Sequence, residues 1–121
     1  HVVYTALDPG RPATTSPEVI AKIIRGELGF DGLLMSDDVS MNALSGDFAQ
    51  RTDAILAAGC DVGLHCNGVM DEMRAVAGRV PALAGKSLAR AQRAVAGLGA
   101  DDGADEAATR AELAALFEAV A

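Results

Sequence analysis

Tryptophan is absent from this chain, tyrosine occurs once and phenylalanine three times, so aromatics are only 3% of its 121 residues. A core without large rings has to be filled by aliphatic and small side chains, and the many alanines with 13 glycines suit helices packed closely on strands. Positive charge is also scarce. Ten Lys and Arg stand against 17 Asp and Glu, giving a net charge of −7. The cations are scattered along the chain, and phosphate-rich partners are repelled, which argues against nucleic acid and anionic membrane surfaces. No apolar run approaches the roughly 20 residues needed to span a bilayer, and no signal peptide is evident. Two cysteines, Cys60 and Cys66, are too few for a disulfide framework. They flank one short apolar stretch and read as reduced thiols of a cytoplasmic protein. Histidine is limited to His1 and His65. His65 and Cys66 are neighbours on a strand and face opposite ways, so they do not make a metal site; no metal or organic cofactor is expected.

What is present is a repeated helix–glycine–strand pattern. Ser16 caps a helix whose first turn holds Pro17 and Glu18, and Val19, Ile20, Ile23, Ile24 and Leu28 follow at helical spacing until Gly29 stops it. Residues 32–37 then read as a buried strand. A second helix over about Asp47 to Ala58 ends at Gly59, a strand covers residues 60–66, and Asn67-Gly68 turns the chain. Further helices run from about Met70 to Gly78 and from about Lys86 to Leu98. The two helix–glycine–strand passages lie about 30 residues apart, the length of a βα unit. Counting a strand over His1–Thr5, residues 1–98 hold three βα units of an α/β fold with right-handed parallel crossovers. The chain opens inside that first strand without a Met and reads as a piece of something longer. Residues 99–121 differ. Asp101-Asp102-Gly103-Ala104-Asp105-Glu106 forms an acidic linker, Thr109-Arg110-Ala111-Glu112 matches a capping box, and Leu113, Leu116, Phe117 and Val120 make one apolar stripe that docks on its own protein or a partner.

The chemistry concentrates in one run, Gly29 to Met41, where a short apolar strand ends in Ser36-Asp37-Asp38. Carboxylates at the C-terminal end of a parallel strand occupy the place where α/β barrels carry catalysis. The same residues also serve as a cap for a following helix or turn, so residue type alone leaves both readings open. Arg11 in the rigid loop Asp8-Pro9-Gly10-Arg11-Pro12 reads as an exposed loop cation or as a contact for an acidic group on a substrate. Met70 and Met73 are helix packing, and Asn67 is a turn former.

Taken together, these blocks resemble family 3 glycoside hydrolases, specifically the bacterial β-N-acetylhexosaminidases of cell-wall recycling. The blocks are His1-Val2-Val3-Tyr4, Asp8-Pro9 with Pro12-Ala13 and Ser16-Pro17, Arg25 to Gly32, Ser36 to Met41, Ala58-Gly59-Cys60-Asp61 and Cys66-Asn67. The resemblance implies the C-terminal three βα units of a TIM (β/α)8 barrel, followed by a helical tail. It places the catalytic nucleophile on Asp37 and a sugar-pocket position on Met41, and it puts His1 on the neighbouring strand in a position to support the pocket. Asp38 cannot be the separate acid by adjacency alone, because neighbouring strand residues face opposite ways and paired carboxyls stand about 5 Å apart across the sugar. It is assigned as an acceptor behind the nucleophile. The family's acid/base His–Asp pair and its Lys-His sugar motif lie upstream of these strands, and this chain contains neither. The implied function is retaining exo-hydrolysis of terminal N-acetylglucosamine from muropeptide-type glycans in peptidoglycan recycling, with the rest of the barrel or a second copy joining at open sheet edges. A one-sugar exo pocket suits an aromatic-poor chain. Two alternatives remain: a β-glucosidase-like hydrolase of the same family, and a non-catalytic βα assembly module.

Overall fold

The helices begin where side chains take over the hydrogen bonds that a helix start leaves unmade. In the computed structural model, which describes residues 1–99 and 103–118, the buried Ser16 Oγ accepts the Val19 N–H at 3.1 Å and donates to Asp8 at 2.7 Å. This opens the helix Glu18–Glu27, which is wound as a π-helix. At its end the Leu28 N–H reaches back five residues to the Ile23 carbonyl, a wider turn than an α-helix makes. Gly29, at φ 63°, then lets the Phe30 N–H return to Ile24 at 2.9 Å.

Helix α1, Phe48–Ala58, starts on a capping box: Asp47 accepts the Gln50 N–H at 2.8 Å, and the Gln50 side chain accepts the Asp47 N–H at 3.0 Å. Asp47→Ala removes the first of these bonds and is expected to cost about 1 kcal/mol, seen as a lower urea midpoint with an unchanged slope. The helix stops at Gly59, whose φ is 110° and where an added Cβ would stand 3.0 Å from Ile20 Cγ2. Glycine is required there twice over, for the left-handed turn and for the close approach.

Strands β1, Met35–Asp38, and β2, Val62–Leu64, pair in parallel, with Met35 opposite Val62 and Asp38 opposite Leu64. β1 holds one more residue than β2 between these pairs, which is a bulge. Ser36 absorbs it: its buried Oγ accepts the Leu64 N–H at 3.0 Å and donates to the Asp37 carbonyl at 2.8 Å. Beyond β1, Val39 N–H continues the ladder to Leu64 at 2.9 Å. α1 crosses between the strands and buries Ile55 and Ala58 with Ile20, Val39, Leu44, Cys60 and Val76.

The α/β class therefore holds, with corrections in detail. Among the described residues two strands form rather than three. His1–Thr5 is not a strand, because its carbonyls turn back on the following loop: Val2 accepts from Ala13, and Tyr4 from Leu7 and Asp8. The strand expected over 32–37 is shorter and alternates, with Met35 53% exposed and Ser36 4%, as a sheet covered on one face requires.

Helices α2, Met70–Ala77, and α3, Gly85–Ala96, lie where expected. Helix α4, Glu106–Glu118, begins earlier than the Thr109 capping box implied. Asp105 accepts the N–H groups of Ala107 and Ala108, which leaves Thr109 inside the helix with its hydroxyl on the Asp105 carbonyl at 3.0 Å. Leu113, Leu116 and Phe117 are exposed, so this stripe is not docked on the chain's own described residues. Asp101, Asp102 and Val120 lie outside the described residues. No described helix is long and apolar enough to cross a membrane.

Candidate active site

The end of β1 presents its two carboxylates to different surroundings, as strand alternation dictates. The Asp37 side chain is half exposed. Its Oδ1 accepts the Asp38 N–H at 2.8 Å, and its Oδ2 lies 3.2 Å from the His1 backbone nitrogen. The Asp38 N–H leads in holding the Asp37 carboxyl below the usual carboxylate range. Asp37 is thus an ionised, anchored and solvent-facing carboxylate. Asp38 is turned inward. It accepts the Ser40 hydroxyl on one oxygen, and the Ser40 and Cys66 N–H groups on the other at 2.9 and 3.1 Å. The Ser40 hydroxyl leads in lowering its pKa. With both oxygens engaged, Asp38 ties the exit of β1 to the exit of β2.

His1 is half-buried beside this strand tip. Its Nε2 donates to the Asp38 carbonyl at 2.8 Å, and its Nδ1 lies 3.0 Å from Thr14 Oγ1. A carbonyl only accepts, so the proton sits on Nε2. Met41 lies in the turn leaving β1, its N–H on the Asp38 carbonyl at 3.2 Å and its residue 43% exposed. Asp37, Asp38 and His1 therefore converge, and Met41 sits on the adjoining loop.

Two groups that sequence reasoning missed hold this arrangement. Arg51 on α1 donates through Nη1 to Val39 and Met41 at 3.0 and 3.2 Å, and through Nε to Gly46 at 2.9 Å. It clamps the loop after Asp37–Asp38 by its backbone carbonyls. A cation in the first turn after a polar loop was the only signal for it. Asp61, at the opposite end of the strands and 7% exposed, accepts from Arg25 at 2.7 Å, Leu34 N–H at 2.9 Å, Ser87 at 2.6 Å and Arg90 at 3.0 Å. Burial pushes its pKa up, but the bonds from Ser87, Leu34 and Arg90 outweigh this and leave it lowered. Arg90 and Arg93 also bind Asp31, whose carboxyl is lowered chiefly by the Arg90 bond. His65 makes no part of the Asp37 cluster: its Nε2 meets Glu72 at 3.0 Å, and its ring stands edge-on to Phe48.

These depressed carboxyls fix the direction of the pH response. Asp31, Asp38 and Asp61 bind protons less readily folded than unfolded, so their stabilisation is fully present above the unfolded Asp value of about 3.9. It is lost as pH falls through their lower folded values. Urea midpoints are expected to be level from neutrality to about pH 5 and to fall steeply below about pH 4.

The parallel α/β scaffold thus raises one solvent-facing and one fully bonded carboxylate at a strand's C-terminal end, where parallel α/β folds place functional groups. The family model described as glycosyl hydrolase family 3 N terminal domain matches residues 1–97. The chain belongs to glycosyl hydrolase family 3. A beta-hexosaminidase of Pseudomonas aeruginosa is 52% identical over 69 residues, covering 55% of this chain and 20% of that protein. A beta-hexosaminidase of Idiomarina loihiensis is 39% identical over 95 residues, covering 77% of this chain and 28% of that protein. A solved family 3 beta-N-acetylglucosaminidase from Paenibacillus sp. str. FPU-7 superposes with a TM-score of 0.63 at 28% identity, covering 88% of this chain and 23% of that one. The chain thus spans between a fifth and three tenths of the length of these relatives.

Proposed function

We propose that this chain carries the nucleophile side of a retaining exo-β-N-acetylglucosaminidase that releases terminal N-acetylglucosamine from muropeptide-type glycans in peptidoglycan recycling. The observation that carries this is Asp37: ionised, held by the Asp38 N–H, and open to solvent at a strand end. Asp37 attacks the anomeric carbon, and the bond to the leaving oxygen breaks as a general acid protonates that oxygen. Water then displaces Asp37 from the glycosyl-enzyme, giving its proton to the same group acting as base. Within this chain Asp38 has both oxygens engaged and His1 both ring nitrogens, so neither supplies that acid. In this reading it comes from the part of the relatives' length that this chain does not span. His1 supports the pocket through Thr14 and the Asp38 backbone, and Met41 lines it.

Exposed Val2, Tyr4, Leu7 and Met35 support a partner surface, either the remainder of a barrel or a second copy. The free thiols of Cys60 and Cys66 support a reducing, cytoplasmic setting; burial pushes the Cys60 thiol up to about 11, which keeps it inert. The reading is tested by grafting residues 1–98 into the Idiomarina loihiensis relative in place of its matching segment. Nitrophenyl N-acetyl-β-glucosaminide is expected to be cleaved about a hundredfold faster than the matching β-glucoside. The reverse preference would favour a β-glucosidase, and a folded but inert graft would favour the assembly module.

A further inference from the structure

We propose that the cleft between the Gly10–Pro12 loop and the Ala43–Ser45 loop binds a single oxyanion group, carboxylate or phosphate, with Arg11 as its principal ligand. The cleft encloses about 280 Å³ and is lined by Arg11 and Arg51, with Thr15 and Ser45 beside them and no carboxylate. In a chain of net charge −7 this is a local reversal of sign. Arg51 is fixed by its bonds to the Val39, Met41 and Gly46 carbonyls, all made through Nε and Nη1. Its Nη2 has no hydrogen-bond partner among the described residues. Arg11 likewise makes no ion pair or side-chain hydrogen bond there. The acid in its own loop, Asp8, feels the Arg11 charge but makes no ion pair with it, being bonded to the Gly10 N–H at 3.0 Å and the Ser16 hydroxyl at 2.7 Å. Two guanidinium groups with free donors and the Ser45 hydroxyl, with no carboxylate among the lining residues, are complementary to a planar or tetrahedral oxyanion.

The cleft is tied to the candidate active site through the chain itself. The Ala43–Ser45 loop leaves β1 shortly after Asp37–Asp38, and Arg51 holds the Met41 carbonyl as well as lining the cleft. An anion bound there rests against the loop that carries Met41. The site rests on these residues alone and does not require Asp37 to be the nucleophile.

The test is a titration of the full chain followed by amide proton–nitrogen spectra, with sodium acetate, sodium phosphate and sodium chloride at matched ionic strength. Acetate or phosphate is expected to shift Gly10, Arg11 and Ala43 to Ser45 saturably, and chloride is not. Arg11→Gln is expected to weaken binding about tenfold or more, with Arg11→Lys in between, while spectra away from the loop stay unchanged. Non-saturating shifts that match chloride would overturn the site, as would equal binding by Arg11→Gln. Two further probes identify the source of the anion. Tighter binding of N-acetylmuramic acid than of acetate, with neutral N-acetylglucosamine leaving Arg11 unmoved, assigns a sugar-borne carboxylate. Tighter binding of inorganic phosphate than of the sugar acid assigns a free phosphate ligand.

Discussion

Asp37→Ala in the grafted barrel is expected to lower kcat on an activated N-acetylglucosaminide by about three orders of magnitude or more, because covalent displacement loses its attacking group. Azide should restore turnover by entering the vacated space and giving the α-glycosyl azide in a single inverting step. Asp38→Ala removes an acceptor rather than a reacting atom. It frees the Ser40 hydroxyl and the Ser40 and Cys66 N–H groups, so the two strand ends lose their tie. The expected loss is smaller, about tenfold to a hundredfold through misplacement of Asp37, with no rescue by azide. Azide rescue at position 38 in place of position 37 would exchange the two assignments.

The largest stability loss is expected at Asp61. Its side chain is 2% exposed and its partners Arg25 and Arg90 only 16% and 14%. Asp61→Ala leaves two nearly buried guanidinium groups facing a hole and strands the Leu34 N–H and the Ser87 hydroxyl. Removing one partner of a buried pair costs about 3–5 kcal/mol, against a total of about 5–15 kcal/mol for a domain. Urea denaturation should show this as a collapse of the midpoint. Asp61→Asn, with its amide oxygen in the Oδ2 place, retains an acceptor for the Leu34 N–H and should lose less. A loss below about 1 kcal/mol for the alanine variant would mean that the network is a surface ion pair in effect.

Local signals were legible in the sequence. Ser16, Gly29 and Gly59 act within a few residues of their own position, so their cap and stop roles follow from residue type. The Asp37–Asp38 strand end was legible for the same reason, since a short apolar run feeds directly into it. Partnership across the chain was less so. His1–Thr5 has strand composition, yet strand status depends on a neighbouring ladder, and its carbonyls bond the adjacent loop. Arg51 reads as a helix-surface cation until the loop carbonyls of Val39, Met41 and Gly46 are seen around it. Asp61 draws its partners from between 26 and 36 residues away, so no local pattern announces it. The start of α4 shows competition between two local signals: Asp105 lies ahead of Thr109 and captures the first free N–H groups.

The central claim is that Asp37 attacks the sugar, and covalent trapping tests it most directly. The chain is incubated with an activated fluoro-sugar analogue of N-acetylglucosamine, whose good leaving group largely removes the need for an acid, and the intact mass is read before the labelled peptide is sequenced. The account predicts one added glycosyl mass, located on Asp37 and absent from Asp37→Asn. A label on Asp38, or a label that persists in Asp37→Asn, would contradict it.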